Sequence, residues 1–262
     1  MSTPVADQHV CWAYDDPEQR HAYAQSYLRA GLAADELVWY LGAGGPAAVG
    51  GPLPDGVAFV AVESMYCAGT PVDPQAQVVA YADATDAALA AGYTGLRVFA
   101  DCTELVRTPA QLEAFAQYEA LVDRFIAVRP MRAVCALDRR AVGDAAVGEL
   151  ACLHPETNAR EALFSLRGDP GHAGTAVLRG ELDATAELVF PGALRRVQPS
   201  PDNGQVVFDA KDLRFLDHRA LLHLQRYAEQ RDTVVMLRNP PATAGHLAEL
   251  LRLTRIRIEA AR

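Results

Sequence analysis

The chain has 262 residues, of which 50% are hydrophobic and 22% charged, enough to bury a sizeable core in one large or two small domains. A net charge of -9, with Lys211 as the single lysine, speaks against direct binding of nucleic acid, which needs clustered basic residues. The opening "MSTPVADQHVCWAYDD" lacks the basic start and apolar run of a signal peptide, and no stretch approaches the roughly 18 apolar residues of a membrane span, so a cytoplasmic protein with no membrane partner is expected.

Taken in chain order, the elements are well punctuated. "DDPEQRHAYAQSYLRAG" predicts a helix with Asp16 as N-cap, Pro17 in the first turn and Gly31 as its stop. "ELVWYLG" (36–42) and "VAFVAV" (57–62) read as buried strands around the glycine-rich "GAGGPAAVGG". "DPQAQVVAYADATDAALAAG" repeats the helix punctuation with Asp73, Pro74 and Gly92. The strand "LRVFAD" (96–101) then leads to a helix opened by Thr108, Pro109 and Gln111, a capping box, and "RAVCALD" (132–138) is the next strand. Strands alternating with helices predict a parallel sheet covered on both faces. "RGDPGHAG" (167–174) reads as a linker, which puts one domain at residues 1–166 and a second at 173–262. In the second, "TAVLRG" (175–180), "QVVFDA" (205–210) and "TVVMLR" (233–238) are strands, with helices at about 218–230 and from about 242.

Chemistry is constrained by what the motifs lack. A phosphate-binding loop of nucleotide enzymes needs G-x-x-x-x-G-K-[ST], and "GAGGPAAVGG" has neither the lysine nor the hydroxyl. Neither ATP nor GTP is therefore expected to bind with magnesium. The cysteines (Cys11, Cys67, Cys102, Cys135, Cys152) are odd in number, widely spaced and form no CxxC, which predicts reduced buried thiols and no metal centre. His9, His21 and His154 are isolated in sequence, and nothing flanking a cysteine matches a nucleophile motif, so no catalytic residue is assigned. Ligands of open parallel sheets bind outside the carboxyl ends of strands, where Glu63, Asp101 and Asp138 follow directly on predicted strands. With Glu119 approaching from its helix and Arg97 inside a strand, these are the candidate ligand-binding residues of a polar pocket beside the 42–51 loop. The alternative for each acid is to cap the helix that follows it. In "FLDHRALLHL" (215–224), Asp217 suits an N-cap, and His218 and Arg219 crowd the same first turn.

Two resemblances extend this reading. "LRGELDATAELVF", "VVFDAKDLRFLDHRALLHLQRYAEQRDTVVML" and "NPPATAGHLAELLRLT" resemble the successive blocks of a STAS domain, the module of anti-sigma factor antagonists. Asp209, Phe215, Leu216, Asp217 and Leu221 fall on positions of its D-L-S-G-L-x-F-L-D-S-S-G-L pattern, but His218 and Arg219 replace the two serines and Ala220 the glycine. "HVCWAYDDPEQR", "YLRAGLAADELVWYLG", "GLRVFADCTEL", "YEALVDRF" and "CALDRR...ELACLHPE" resemble the blocks of MEDS sensory domains. The family's D-M-x-W appears as Asp101, Cys102, Thr103 and Glu104, without the aromatic residue. The resemblances imply a RecA-like α/β domain that senses a small ligand, followed by a small STAS-like α/β domain. The STAS-like part would bind an anti-sigma factor or other signalling protein through Asp217, His218 and Arg219, with no serine left to phosphorylate. The expectation is a non-enzymatic regulator without a cofactor, for which a homodimer is open. The alternative is a RecA-like nucleotide enzyme or cysteine-dependent hydrolase carrying a regulatory appendage.

Overall fold

The computed structural model describes residues 8–66, 69–172 and 174–259; Cys67 lies outside them. The chain divides into two units, Met1–Glu161 and Ala162–Arg262. In the first unit the elements are β1 (His9–Tyr14), α1 (Pro17–Ala33), β2 (Leu37–Gly42), β3 (Ala58–Ala61), the one-turn α2 (Val62–Met65), α3 (Pro74–Ala90), β4 (Leu96–Asp101), α4 (Pro109–Ile126), β5 (Met131–Asp138), α5 (Arg139–Ala151) and β6 (Glu156–Thr157). Six strands lie in the order β3-β2-β4-β5-β1-β6, and every neighbouring pair is parallel. The predicted α/β alternation is thus what forms.

The helix starts follow from local chemistry. Asp16 accepts from the Glu18 N–H at 2.9 Å, Asp73 accepts from Gln75 and Ala76, and the Thr108–Gln111 box closes in both directions. α1 does not stop at Gly31 but runs to Ala33. Gly31 has a packing role instead, since a Cβ there would lie 2.5 Å from Cδ of Arg97.

Strand alternation divides the core in two. Val10, Tyr14, Val38, Tyr40, Phe99, Val134 and Ala136 pack on Ala24, Tyr27 and Leu28 of α1. His9, Cys11 and Cys135 have the opposite parity in β1 and β5 and face the side covered by α4 and the end of α5. On the edge of β1, the short β6 pairs with Val10 and Cys11. Beyond it the Asn158 amide bonds both the N–H and the C=O of Ala13, each at 2.8 Å.

The second unit contains β7 (Phe164–Gly168), β8 (Thr175–Leu182), α6 (Phe190–Val197), β9 (Gln205–Leu216), α7 (His218–Gln230), β10 (Val234–Arg238), α8 (Thr243–Leu250) and β11 (Ile256–Glu259). Its sheet runs β11-β10-β9-β8-β7, parallel except for the antiparallel β7–β8 pair. The linker expected at 167–174 is therefore corrected. Arg167 and Gly168 end β7, and residues 169–172 turn toward β8, with the Asp169 N–H donating to Thr175 O at 2.9 Å and Gly171 N–H to the Asp169 carboxylate at 2.8 Å. Glycine, proline and aspartate serve a tight turn as well as a linker, which is why composition pointed to the wrong one. The strand expected at 205–210 also continues to Leu216. Among the described residues no helix is long and apolar enough to cross a membrane.

Candidate functional site

Two clusters of polar side chains among the described residues of the first unit bear on function. At the carboxyl edge, Asp101 ends β4 while Tyr14 and Asp138, paired in register, end β1 and β5. Asp101 accepts from Arg20 Nη1 (2.6 Å), Tyr14 OH (3.0 Å), Thr103 Oγ1 (2.7 Å) and the Thr103 N–H (3.2 Å). Thr103 Oγ1 in turn accepts from the Asp138 N–H at 3.0 Å, which ties the two strand ends together. Burial and the Asp101 charge push the Tyr14 hydroxyl up to about 12, so it stays a donor.

Arg20 also fixes the glycine-rich loop. Its Nη2 donates to the carbonyls of Ala48 and Val49, both at 3.1 Å, while Gly44, Gly45 and Gly50 adopt φ of 75°, 80° and 92° around the single turn Pro46–Val49. A phosphate loop aims amide N–H groups at its ligand, whereas here two loop carbonyls aim at a cation. Arg20 Nε is buried without a hydrogen-bond partner, so one donor at this edge is unspent.

The other residues expected in this pocket have roles of their own. Glu63 is exposed in the first turn of α2. Arg97 sits four residues before Asp101, roughly 13 Å along a strand. It pairs there with Glu36, donates to Tyr27 O at 3.3 Å and lies 4.6 Å over the Tyr27 ring. Asp138 caps α5 by accepting from the Arg140 N–H at 3.0 Å, the alternative role left open for it. Glu119 turns to the second cluster. In the second unit Asp217 caps α7 through the Ala220 N–H at 2.9 Å, Arg219 pairs with Glu187 at 3.0 Å, and His218 is exposed.

The second cluster lies on the α4 side of the sheet and is fully enclosed. Glu119 of α4, His9 of β1 and His154 beyond α5 are each no more than 1% exposed, and Cys135 of β5 is 6% exposed. Glu119 Oε2 lies 3.0 Å from His9 Nε2 and 3.1 Å from His154 Nε2, and the Cys135 thiol lies 3.3 Å from Glu119 Oε1 and 3.8 Å from His9 Nε2. The ligand atoms of all four lie within 4.8 Å of one another. Each imidazole is held from behind, His9 Nδ1 by Asp123 Oδ1 at 3.0 Å and His154 Nδ1 by the Leu150 carbonyl at 2.9 Å. Burial alone would raise the Glu119 carboxyl, but His154 and His9 outweigh it and hold it down to about 2. Burial would likewise lower His9, and its bonds to Asp123, Cys135 and Glu119 raise it well above the usual imidazole range. The Cys102 thiol, burial and the Glu119 charge push the Cys135 thiol up. Sequence reasoning had Glu119 without its partners, because the four residues come from four distant segments.

Comparison with known proteins gives one family. The model of the methanogen/methylotroph, DcmR sensory domain (MEDS) matches residues 8–155, more than half of the chain and nearly all of the first unit. No curated protein and no solved structure matches. The residues of both clusters fall within the matched stretch. By this match the chain belongs to the MEDS family of sensory domains.

Proposed function

We propose that the chain is a non-enzymatic signalling regulator whose first unit binds a small ligand at the carboxyl edge of its sheet. The observation that carries this reading is the network of Tyr14, Arg20, Asp101 and Thr103 at that edge, inside a sensory-family domain and with a buried Arg20 donor unspent. A guanidinium beside a phenol and a hydroxyl suits a small polar or anionic ligand that exchanges for loop carbonyls on Arg20. Native mass spectrometry of the purified chain, followed by release and identification of what it retains, tests the reading. A retained small molecule should disappear in Arg20→Ala. Retention unchanged in Arg20→Ala, or calorimetric binding of ATP or GTP with magnesium in the micromolar range, would overturn it.

The second unit, on this reading, is STAS-like and docks a protein such as an anti-sigma factor around the start of α7. Exposed Leu188 and Phe215 near His218 and Arg219 support a contact surface. No hydroxyl occurs in that turn, so docking would not be switched by serine phosphorylation. Incubation with a cognate kinase-type anti-sigma factor should leave the second unit unphosphorylated, and His218→Ala with Arg219→Ala should weaken the complex. Phosphoserine or phosphothreonine in the unit that releases the partner would sink this part.

A further inference from the structure

We propose that His9, Glu119, Cys135 and His154 form a closed site for one divalent transition-metal ion of the zinc type. The proposal stands on the cluster geometry and is independent of the ligand reading at the sheet edge.

The Leu150 carbonyl can only accept, so His154 Nδ1 must carry a proton and a neutral His154 presents a bare lone pair at Nε2. That lone pair faces Glu119 Oε2 at 3.1 Å, an acceptor against an acceptor. With both imidazoles neutral and protonated at Nδ1, no proton lies between Glu119 Oε2 and His154 Nε2, although both atoms are fully buried. Two adjoining unsatisfied buried atoms are costly, and a cation between them removes the cost for both.

Two imidazoles, a carboxylate and a thiol are ligands of tetrahedral zinc, whose bonds of roughly 2.0–2.3 Å place ligand atoms roughly 3.3–3.7 Å apart. The separations here are 3.0 and 3.1 Å from Glu119 Oε2 to the two imidazoles, 3.3 Å from Glu119 Oε1 to the thiol and 3.8 Å from the thiol to His9, with all four ligand atoms within 4.8 Å of one another. Asp123 behind His9 and the Leu150 carbonyl behind His154 hold both rings with Nε2 turned inward, the arrangement that orients metal-bound histidines. On binding, the Cys135 S–H bond is lost, sulfur keeps the electron pair and bonds the ion, and the proton passes to solvent. Four protein ligands and near-zero exposure leave no position for water, so the ion would join β1, β5, α4 and the end of α5 as a structural centre.

The test uses the full chain, stripped by a chelator under reducing conditions and reloaded with zinc or cobalt(II). One equivalent of zinc per chain is expected. The cobalt form should show intense tetrahedral bands and a thiolate-to-cobalt charge-transfer band that Cys135→Ser abolishes and Cys11→Ser and Cys152→Ser retain. Asp123→Asn should weaken zinc binding by roughly 10–100-fold. X-ray absorption of the zinc-loaded native chain, which needs no variant, should give one sulfur and three nitrogen or oxygen neighbours. Uptake far below one equivalent, a charge-transfer band that survives Cys135→Ser, or a shell with no sulfur or several would overturn the proposal.

Discussion

The two faces of the first sheet handle buried charge differently. On the α1 face, Asp101 and Glu36 are each met by an arginine, Arg20 and Arg97, whose guanidinium is charged at every accessible pH. On the α4 face, Glu119 is met by two imidazoles and a thiol, groups that can carry a proton, a metal ion or neither. The first arrangement fixes a structure, and the second leaves its state of charge to be set from outside. Aromatic packing follows the same division, with Tyr23, Tyr27, Tyr40 and Phe99 grouped around α1 and Tyr66, Tyr81, Phe115 and Tyr118 on the other side.

Substitutions can break that contrast, and the largest effect is expected at Glu119. Glu119→Ala strands two buried histidines, and guanidinium denaturation should show a loss of about 3–5 kcal/mol. A loss below about 1 kcal/mol would mean that the cluster is no more demanding than the arginine pairs. Gly31→Ala comes next, because the new methyl must displace the Arg97 stem and cannot do so without disturbing its pairing with Glu36. Overpacking of that kind costs about 1–3 kcal/mol, and Arg97→Ala in the same background should recover part of it. Unchanged stability of the double variant relative to Gly31→Ala alone would show that the two residues do not compete for space.

The second unit supplies the lower end of the scale. Asp217→Ala removes the α7 cap and should cost about 1 kcal/mol in thermal or chemical unfolding, while Asp217→Asn should retain most of it. Arg219→Ala breaks a half-exposed pair with Glu187 and should change stability by about 0.5 kcal/mol or less. An Arg219 effect as large as that of Asp217 would argue that the α7 start is stabilised by its ion pair more than by its cap.

Legibility in the sequence followed the range of the interaction. Asp16, Asp73 and Thr108 act on residues two or three positions away, so the helix starts could be read directly. β1 was harder, because six residues become a strand only by inserting between β5 and β6 from the far side of the unit. The carboxyl-edge acids were found by the rule for parallel sheets, yet Arg20 and Thr103, which hold Asp101, carry no such positional signal. No spacing rule reaches from His9 to His154. One signal was nonetheless present. His9, Glu119, Cys135 and His154 each fall inside a block that carries the family resemblance: "HVCW", "YEAL", "CALD" and "CLHPE". The expectation of no metal centre rested on short Cys and His spacings, which the site proposed above, assembled across a sheet, would not show.

The side chain of Asn158 also bears on self-association. Its amide imitates a peptide group and occupies both backbone groups of Ala13, just where β6 has ended after two residues. An open strand at the rim of a parallel sheet is a template on which a second chain can add. Here, past the end of β6, one side chain takes the two backbone groups of Ala13 that a longer β6 would pair. Asn158→Ala would leave the N–H and C=O of Ala13 without these two bonds at the end of β1.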